Sequence, residues 1–345
     1  MDTKNVTMQD IAAQLGITKV SVSKALNNQP GVSEELKRQI LEISNKLGYK
    51  KNGLRKEVTD VKKLGFLVPK RFFLENDNFY TVIYYYMTRE CEKKNINLHL
   101  FIIDPVDEKE LTLPFSFKEY NLNGVFFVGE IGASYINLIK NLVFPIVIID
   151  FYNPHLTEDC VITDNFYAGY MATTNLIDKG HYNIGFVGNP GYSTSVMDRF
   201  YGYRKALSEN ELEYTKEWNI SNNDVSGIYT LEHPLPDPMP TAFVCHCDMA
   251  AYYLMLKLQS KGISVPDQVS LVSFDNTKLS QKCYPPLTTI DINKRNIAHK
   301  ALQQLLWKME HPAAEMQRVL LNTHLIERGS TKKLHNPILD VSDRA

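Results

Sequence analysis

The chain has 345 residues, 44% of them hydrophobic and 22% charged, with a formal net charge of −1. Those totals allow two or three globular domains with a large buried core. No apolar run approaches the roughly 18 residues that cross a bilayer as a helix. The N-terminus, MDTKNVTMQD, has no apolar signal core, and the five cysteines are odd in number and scattered, which suits a reducing compartment better than a disulfide framework. A cytoplasmic protein with no membrane partner is expected. Charge is unevenly spread: residues 1–60 hold ten Lys/Arg against seven Asp/Glu, and the remainder 28 against 32. A mildly basic arm on a mildly acidic body fits nucleic-acid binding by the arm.

Taken in order, Thr7–Asn27 comes first. Thr7 can cap a helix over Met8–Leu15, in which Met8, Ile11, Ala12 and Leu15 make one apolar stripe. Gly16 supplies a turn, Ile17 tucks back, and Thr18 caps a second helix, Lys19–Leu26. Val22, Ala25 and Leu26 then face inward, leaving Lys19, Val20, Ser21, Ser23 and Lys24 on the open side. An ordinary helical hairpin shares this pattern. Ser33 before Glu34-Glu35-Leu36, however, caps a third helix carrying Leu36, Ile40, Ile43 and Leu47 and stopping at Gly48. Three short helices closing a core within about fifty residues make a DNA-binding headpiece of helix-turn-helix type.

These residues closely resemble the headpiece of the LacI/GalR family of bacterial repressors: Val6-Thr7-Met8-Gln9-Asp10-Ile11-Ala12, Gly16-Ile17, Val22-Ser23-Lys24-Ala25-Leu26-Asn27, Gly31-Val32-Ser33 and Leu47-Gly48-Tyr49. In that family the following linker becomes a hinge helix on DNA, with a leucine wedged into the minor groove. Here the wedge position is Val58, a shorter side chain. Gly53 also costs roughly 1 kcal/mol of helix propensity, so weaker hinge folding and weaker kinking are expected.

From Lys63 the pattern becomes βαβ. Strands are expected at Leu64–Pro69, Leu98–Ile103, Gly124–Gly129 and Pro145–Asp150, with a helix over Phe79–Lys94. A second set runs from the Cys160–Thr163 strand through helix Ala168–Lys179, strand Ile184–Gly188 and helix Arg199–Asn210. It ends with strand Ala242–Cys245, helix Met249–Lys261 and strand Val269–Phe274. The fold class is α/β: an all-α headpiece joined to a two-lobe, periplasmic-binding-protein-like ligand domain with parallel sheets. The family likeness extends over Thr163-Asp164-Asn165, Asp198-Arg199-Phe200-Tyr201-Gly202-Tyr203, Ser273-Phe274-Asp275-Asn276 and Pro286–Ile290. It implies lobe crossings near 162, 290 and 322. The domains are then a headpiece at 1–50, a linker at 51–63, a first lobe at 64–162 plus 291–322, a second lobe at 163–290, and a C-terminal segment and tail at 323–345. That tail has no leucine heptad for a tetramerising coiled coil.

Lys19 and Val20 match the family positions that discriminate operators. Lysine can donate to guanine and valine can meet a thymine methyl. Ser21, Ser23 and Asn27 suit phosphates, Lys24 either, and Thr7, Thr18, Asn28 and Val58 complete the DNA-facing set. In the cleft, Arg199 and Asp275 match the family's effector-contacting arginine and aspartate, with a structural ion pair as the alternative. Phe79 and Tyr80 match effector positions. Phe151, Tyr152, Tyr192 and Trp218 are further stacking candidates, each equally a core aromatic. Asp150, Ser193, Ser195, Cys247 and Asp248 complete the rim. Cys245-His246-Cys247-Asp248 invites a metal, but no second ligand pair is near, and no metal or cofactor is expected. No nucleophile elbow, Walker loop or dinucleotide fingerprint is present, so an enzyme is not expected.

The reading is a homodimeric repressor of carbohydrate genes on a pseudo-palindromic operator, controlled by a sugar-like effector. The alternatives are a global regulator controlled by a phosphocarrier protein and a nucleobase-responsive corepressor type. A solute-binding protein and a carbohydrate enzyme are the other classes weighed. The headpiece argues against the first, the missing catalytic motifs against the second.

Overall fold

A computed structural model describes residues 6–26, 29–47, 61–73, 79–143, 145–221 and 234–334. The expectations for Asn27, Asn28, Gly53 and Val58 lie outside these. The chain divides into two compact units, residues 1–60 and 61–345.

In the first unit, helix α1 (Met8–Leu15) opens on a capping box. The Thr7 hydroxyl accepts from Asp10 N, while the Asp10 carboxylate accepts from Thr7 N at 2.7 Å. Gly16, at φ +63°, ends it in the left-handed region that glycine enters freely. Helix α2 (Lys19–Leu26) starts beneath Thr18, whose Oγ1 accepts from Ser21 N at 3.1 Å. Helix α3 (Glu34–Lys46) starts beneath Ser33. Ile11, Ala12, Val22, Ala25 and Ile40 form the buried centre, flanked by Leu15, Leu36, Ile43 and Leu47. The headpiece is therefore a local fold: every cap lies within three residues of the amide it satisfies.

The second unit holds two six-stranded sheets. The first is laid down by β1 (Lys63–Pro69), α4 (Phe79–Glu92), β2 (Asn97–Ile103), α5 (Pro105–Glu110), β3 (Gly124–Val128), α6 (Ala133–Lys140), β4 (Ile146–Ile149) and β5 (Asp159–Thr163). The chain then passes to the second sheet through α7 (Asn165–Asp178), β6 (Ile184–Val187), α8 (Thr194–Glu209), β7 (Asn219–Ile220), β8 (Ala242–Cys245), α9 (Asp248–Ser260), β9 (Ser270–Phe274), α10 (Lys278–Lys282) and β10 (Thr288–Asp291). Helix α11 (Lys294–Glu310) and β11 (Arg318–Leu321) return to the first sheet, and β12 (His324–Ile326) goes back to the second. The strand orders are β11-β5-β4-β3-β1-β2 and β12-β10-β9-β8-β6-β7, parallel throughout except for β12.

Each sheet is covered on both faces, which is why its central strands read as unbroken apolar runs. Helices α4 and α11 pack Ile83, Met87, Ala298 and Leu302 on one face of the first sheet, and α6 packs Tyr135, Ile136 and Ile139 on the other. On the second sheet α7 and α8 supply Ala168, Ala172 and Phe200, and α9 supplies Ala251, Leu254 and Leu258. Among the described residues no helix is long and apolar enough to cross a membrane.

The segment expected to be a tail is partly built into the second lobe. Ser330 is fully buried; its Oγ donates to Leu271 O at 2.6 Å and accepts from Thr288 N at 2.8 Å. The short strands β7, β10, β11 and β12 were not anticipated as strands; β7 and β12, of two and three residues, hold no readable periodicity.

Candidate functional site

On the headpiece, the open face of α2 carries Lys19 and Val20, the latter 63% exposed. No acidic residue stands in the helix's first turn, and Lys24 lies in its last. Val22 and Ala25 are buried, so the inward side anchors the helix and the outward side stays available. Ser21, Ser23 and Lys24 are half-buried. The Ser21 hydroxyl lies 3.0 Å from that of Thr18, so both belong to the cap as well as to the open face. Thr7 is exposed at the start of α1.

In the second unit a pocket of about 70 Å³ lies between the lobes. From the first lobe it is lined by Arg71, Phe72, Phe79, Tyr80 and Asp150; from the second by Tyr192, Ser193, Ser195, Arg199, Cys247 and Asp275, together with Val196 and His246. Most of these stand just past the carboxyl end of a strand or at the start of the following helix, where open α/β sheets present ligand groups.

Arg199 is the best-held of them, and the local sequence explains why. Helices α7 and α8 meet through two glycines: a Cβ on Gly169 would fall 2.1 Å from the Arg199 carbonyl oxygen, and one on Gly202 would fall 2.0 Å from that of Phe166. This close approach sets the Arg199 backbone against α7, where Asp164 caps the helix and Asn165 begins it. Arg199 Nε donates to Asn165 Oδ1 at 2.8 Å, and Nη1 donates to the His246 carbonyl. Its guanidinium also covers the Phe274 ring and lies 3.5 Å from Asp275 Oδ1. Only 4% of the residue is exposed.

Asp150 faces it from the first lobe. Tyr80 donates to its Oδ2 at 2.7 Å, while Oδ1 is buried with no hydrogen-bond partner. Burial pushes this carboxyl up to about 6, against the pull of Arg199 and the Tyr80 hydroxyl. His246 is pushed the opposite way, down to about 4, again by burial. Asp150, Asp275 and Asn276 have φ of 69°, 99° and 47°, three non-glycine residues in a costly region. Such strain persists where the surroundings hold it, and Asp150 and Asp275 both turn toward this pocket, one from each lobe.

Further contacts join the lobes beside the pocket. Glu130 Oε2 accepts from Thr194 N at 2.7 Å and from its Oγ1 at 3.1 Å; the Tyr152 hydroxyl donates to Asp198 at 2.8 Å; and the Phe72 and Tyr192 rings meet edge-on. Burial raises the carboxyls of Glu130 and Asp198. Ser193 caps α8, and its hydroxyl lies 2.9 Å from that of Ser195.

Three expected rim residues stand elsewhere. Phe151 is buried in the core on the α6 side of the first sheet, because the turn at Asp150 sends the next side chain inward. Asp248 is buried beneath the strand ends, accepting from Ser273 Oγ, Thr289 Oγ1 and Thr277 N and Oγ1 at 2.6–2.8 Å. It ties down the loop that carries Asp275. Trp218 precedes the edge strand β7 and donates from Nε1 to the Pro238 carbonyl at 2.9 Å. Cys245 is a core residue, and Cys247 Sγ caps α9 by accepting from Ala250 N. Among the described residues no group of three or more His, Cys, Asp or Glu is placed to hold a metal. Arg71 and Phe72 were missed, although their place directly after β1 was the available signal.

Residues 7–52 match the model of bacterial regulatory proteins of the lacI family, and residues 173–331 match a periplasmic binding protein-like domain. The HTH-type transcriptional repressor PurR of Mannheimia succiniciproducens is 26% identical over 335 residues, covering 95% of this chain and 99% of that protein. The ribose operon repressor of Haemophilus influenzae is 25% identical over 336 residues, at 95% and 99% coverage. Among solved structures, the lac repressor dimer bound to operator and an anti-inducer has a TM-score of 0.67 at 19% identity, covering 95% of this chain and 100% of that one. A transcriptional regulator CelR–cellobiose complex has a TM-score of 0.68 at 21% identity, with 94% and 100% covered.

Proposed function

We propose that the chain is a DNA-binding transcriptional regulator of the lacI family, a homodimeric repressor of carbohydrate genes released or engaged by a small sugar in the interlobe pocket. Two headpieces would place two α2 helices in successive major grooves of a pseudo-palindromic operator, in the cytoplasm and without a metal or cofactor. Lys19 and Val20 would read base edges, while Thr7, Thr18, Ser21, Ser23 and Lys24 would hold the backbone.

The observation that carries the effector reading is Asp150 Oδ1. A buried carboxylate oxygen without a donor is costly, and a ligand hydroxyl supplies the missing proton. Across the pocket, Arg199 and Asp275 present a donor fork beside an acceptor, the pairing that vicinal hydroxyls satisfy. Aromatic faces from Phe79, Tyr80 and Tyr192 suit the apolar side of a sugar ring. One relative is named for a ribose operon, which agrees with this choice.

The test is a thermal-shift screen of the full chain against mono- and disaccharides, sugar phosphates and nucleobases. At 100 times its dissociation constant a true effector adds about 2.7 kcal/mol of stability. A shift specific to a sugar supports the reading. A shift confined to a nucleobase replaces the sugar with a base. Silence from every compound overturns the small-molecule reading in favour of a protein partner.

A further inference from the structure

The larger interlobe cavity is not the one that holds Arg199. On the side where β10 runs into α11 lies a second cavity of about 580 Å³, far roomier than the cleft pocket. Val82 and Tyr86 of α4 and Arg295 of α11 line it from the first lobe; Asn276 and Lys278 line it from the second; Lys294 lies between. Its charge balance differs from that of the cleft. Lys278 and Arg295 are exposed, and their side chains make no hydrogen bond or ion pair among the described residues. The carboxylate in the lining, Asp291, is already engaged, accepting from Asn276 Nδ2 at 2.7 Å with His324 Nε2 3.8 Å away.

Lys294 completes the cation set. It is 9% exposed, and its ammonium donates to the Asp275 and Ile292 carbonyls, with no carboxylate within ion-pair distance among the described residues. The same ammonium lies 5.2 Å from the centroid of the Phe79 ring. Phe79 and Asp275 both line the cleft pocket, so Lys294 is the partition between the two cavities.

We propose that this cavity is a second ligand site, for a small phosphorylated molecule. The exposed Lys278 and Arg295 and the buried Lys294 all line a space too large for a lone ion and large enough for a metabolite. Arginine and lysine together suit a phosphoryl group, the guanidinium by its fork and the ammonium by its charge. Val82 and Tyr86 leave an apolar wall for the rest of the molecule. Because the lining comes from both lobes, an occupant favours the arrangement that keeps them together, and it does so to the extent that it prefers that arrangement. Its charge also pulls on Lys294, one of the cations that act on Asp150 across the partition. The site goes beyond the cleft reading and does not depend on the effector being a sugar.

The experiment is a calorimetric titration of the full chain with inorganic pyrophosphate at low ionic strength. It is repeated on Lys278→Gln/Arg295→Gln and on a charge-matched control, Lys118→Gln/Lys261→Gln, whose side chains are also exposed. Saturable binding is expected in the wild type and the control, weakened at least tenfold in Lys278→Gln/Arg295→Gln. The absence of saturable binding overturns the proposal. So does equal weakening in both variants, which would mean general charge attraction, and so does full retention in Lys278→Gln/Arg295→Gln, which would place the anion elsewhere.

Discussion

The two lobes share one strand order, yet they offer the cleft different chemistry. The wall from the first lobe is mostly aromatic, Phe72, Phe79 and Tyr80, around one carboxylate whose free oxygen faces no donor. The wall from the second is polar and already wired: Arg199 is held by Asn165, the His246 carbonyl and Asp275 before any ligand arrives. On the proposed reading, one lobe would orient a ligand through preset charges, and the other would meet it with rings and a single acceptor. Similar topology does not impose similar roles, because the side chains past each strand end are free to differ.

This asymmetry predicts a ranking of effects. Arg199→Ala should be the most damaging, since it leaves Asp275 buried without its cation; a loss of roughly 3–5 kcal/mol is expected. Chemical denaturation measures it, and an unchanged midpoint would mean that the second wall is not prebuilt. Gly202→Ala comes next. Its new methyl carbon would sit 2.0 Å from the Phe166 carbonyl oxygen, so α7 and α8 must separate. Overpacking at the upper end of its range, about 3 kcal/mol, is expected, with effector affinity falling as Arg199 shifts. A variant of wild-type stability would show that the helix contact does not position the arginine.

Asp150→Asn probes the opposite wall and gives a pH signature. The folded carboxyl is raised to about 6, so its contribution to stability is complete below about pH 4 and lost as pH rises through about 6. The asparagine variant lacks that loss. It should match the wild type at pH 4 and exceed it by about 2–3 kcal/mol at pH 8. Melting temperatures across this range decide it; a pH-independent difference would remove Asp150 as a buried, partly unsatisfied acid. Tyr80→Phe should have the smallest effect, about 1 kcal/mol for one hydrogen bond, and should raise the Asp150 titration further. NMR titration of the carboxyl would show a lowered value if the hydroxyl were not supporting the charged form.

Legibility in the sequence followed the same division between local and distant contacts. The headpiece was readable because its caps and stripes lie within a few residues of one another, as Thr7 with Asp10 and Thr18 with Ser21 show. Central strands were readable from their apolar runs, and the pocket side chains mostly from their place after those runs. What failed was direction. Neighbouring residues at a strand end face opposite ways, so Asp150 enters the pocket and Phe151 the core. Asp248 carries the charge of a ligand-binding residue, but its partners, Ser273, Thr277 and Thr289, are brought to it only by the folded sheet. Cavities are less legible still. The 580 Å³ space beside Lys294 depends on three segments far apart in the chain, and no spacing within any one of them marks it.

A ligand in the interlobe pocket is proposed to control DNA binding. The most direct test measures operator affinity by fluorescence anisotropy, using a DNA site selected in vitro with the full chain, with and without the sugar found in the stability screen. Coupling between two sites of this kind is typically worth about 5- to 150-fold. The prediction is a change of at least fivefold, in either direction, that disappears in a folded Arg199→Lys variant. An operator affinity indifferent to a sugar that demonstrably binds, or a response fully kept in Arg199→Lys, would contradict it.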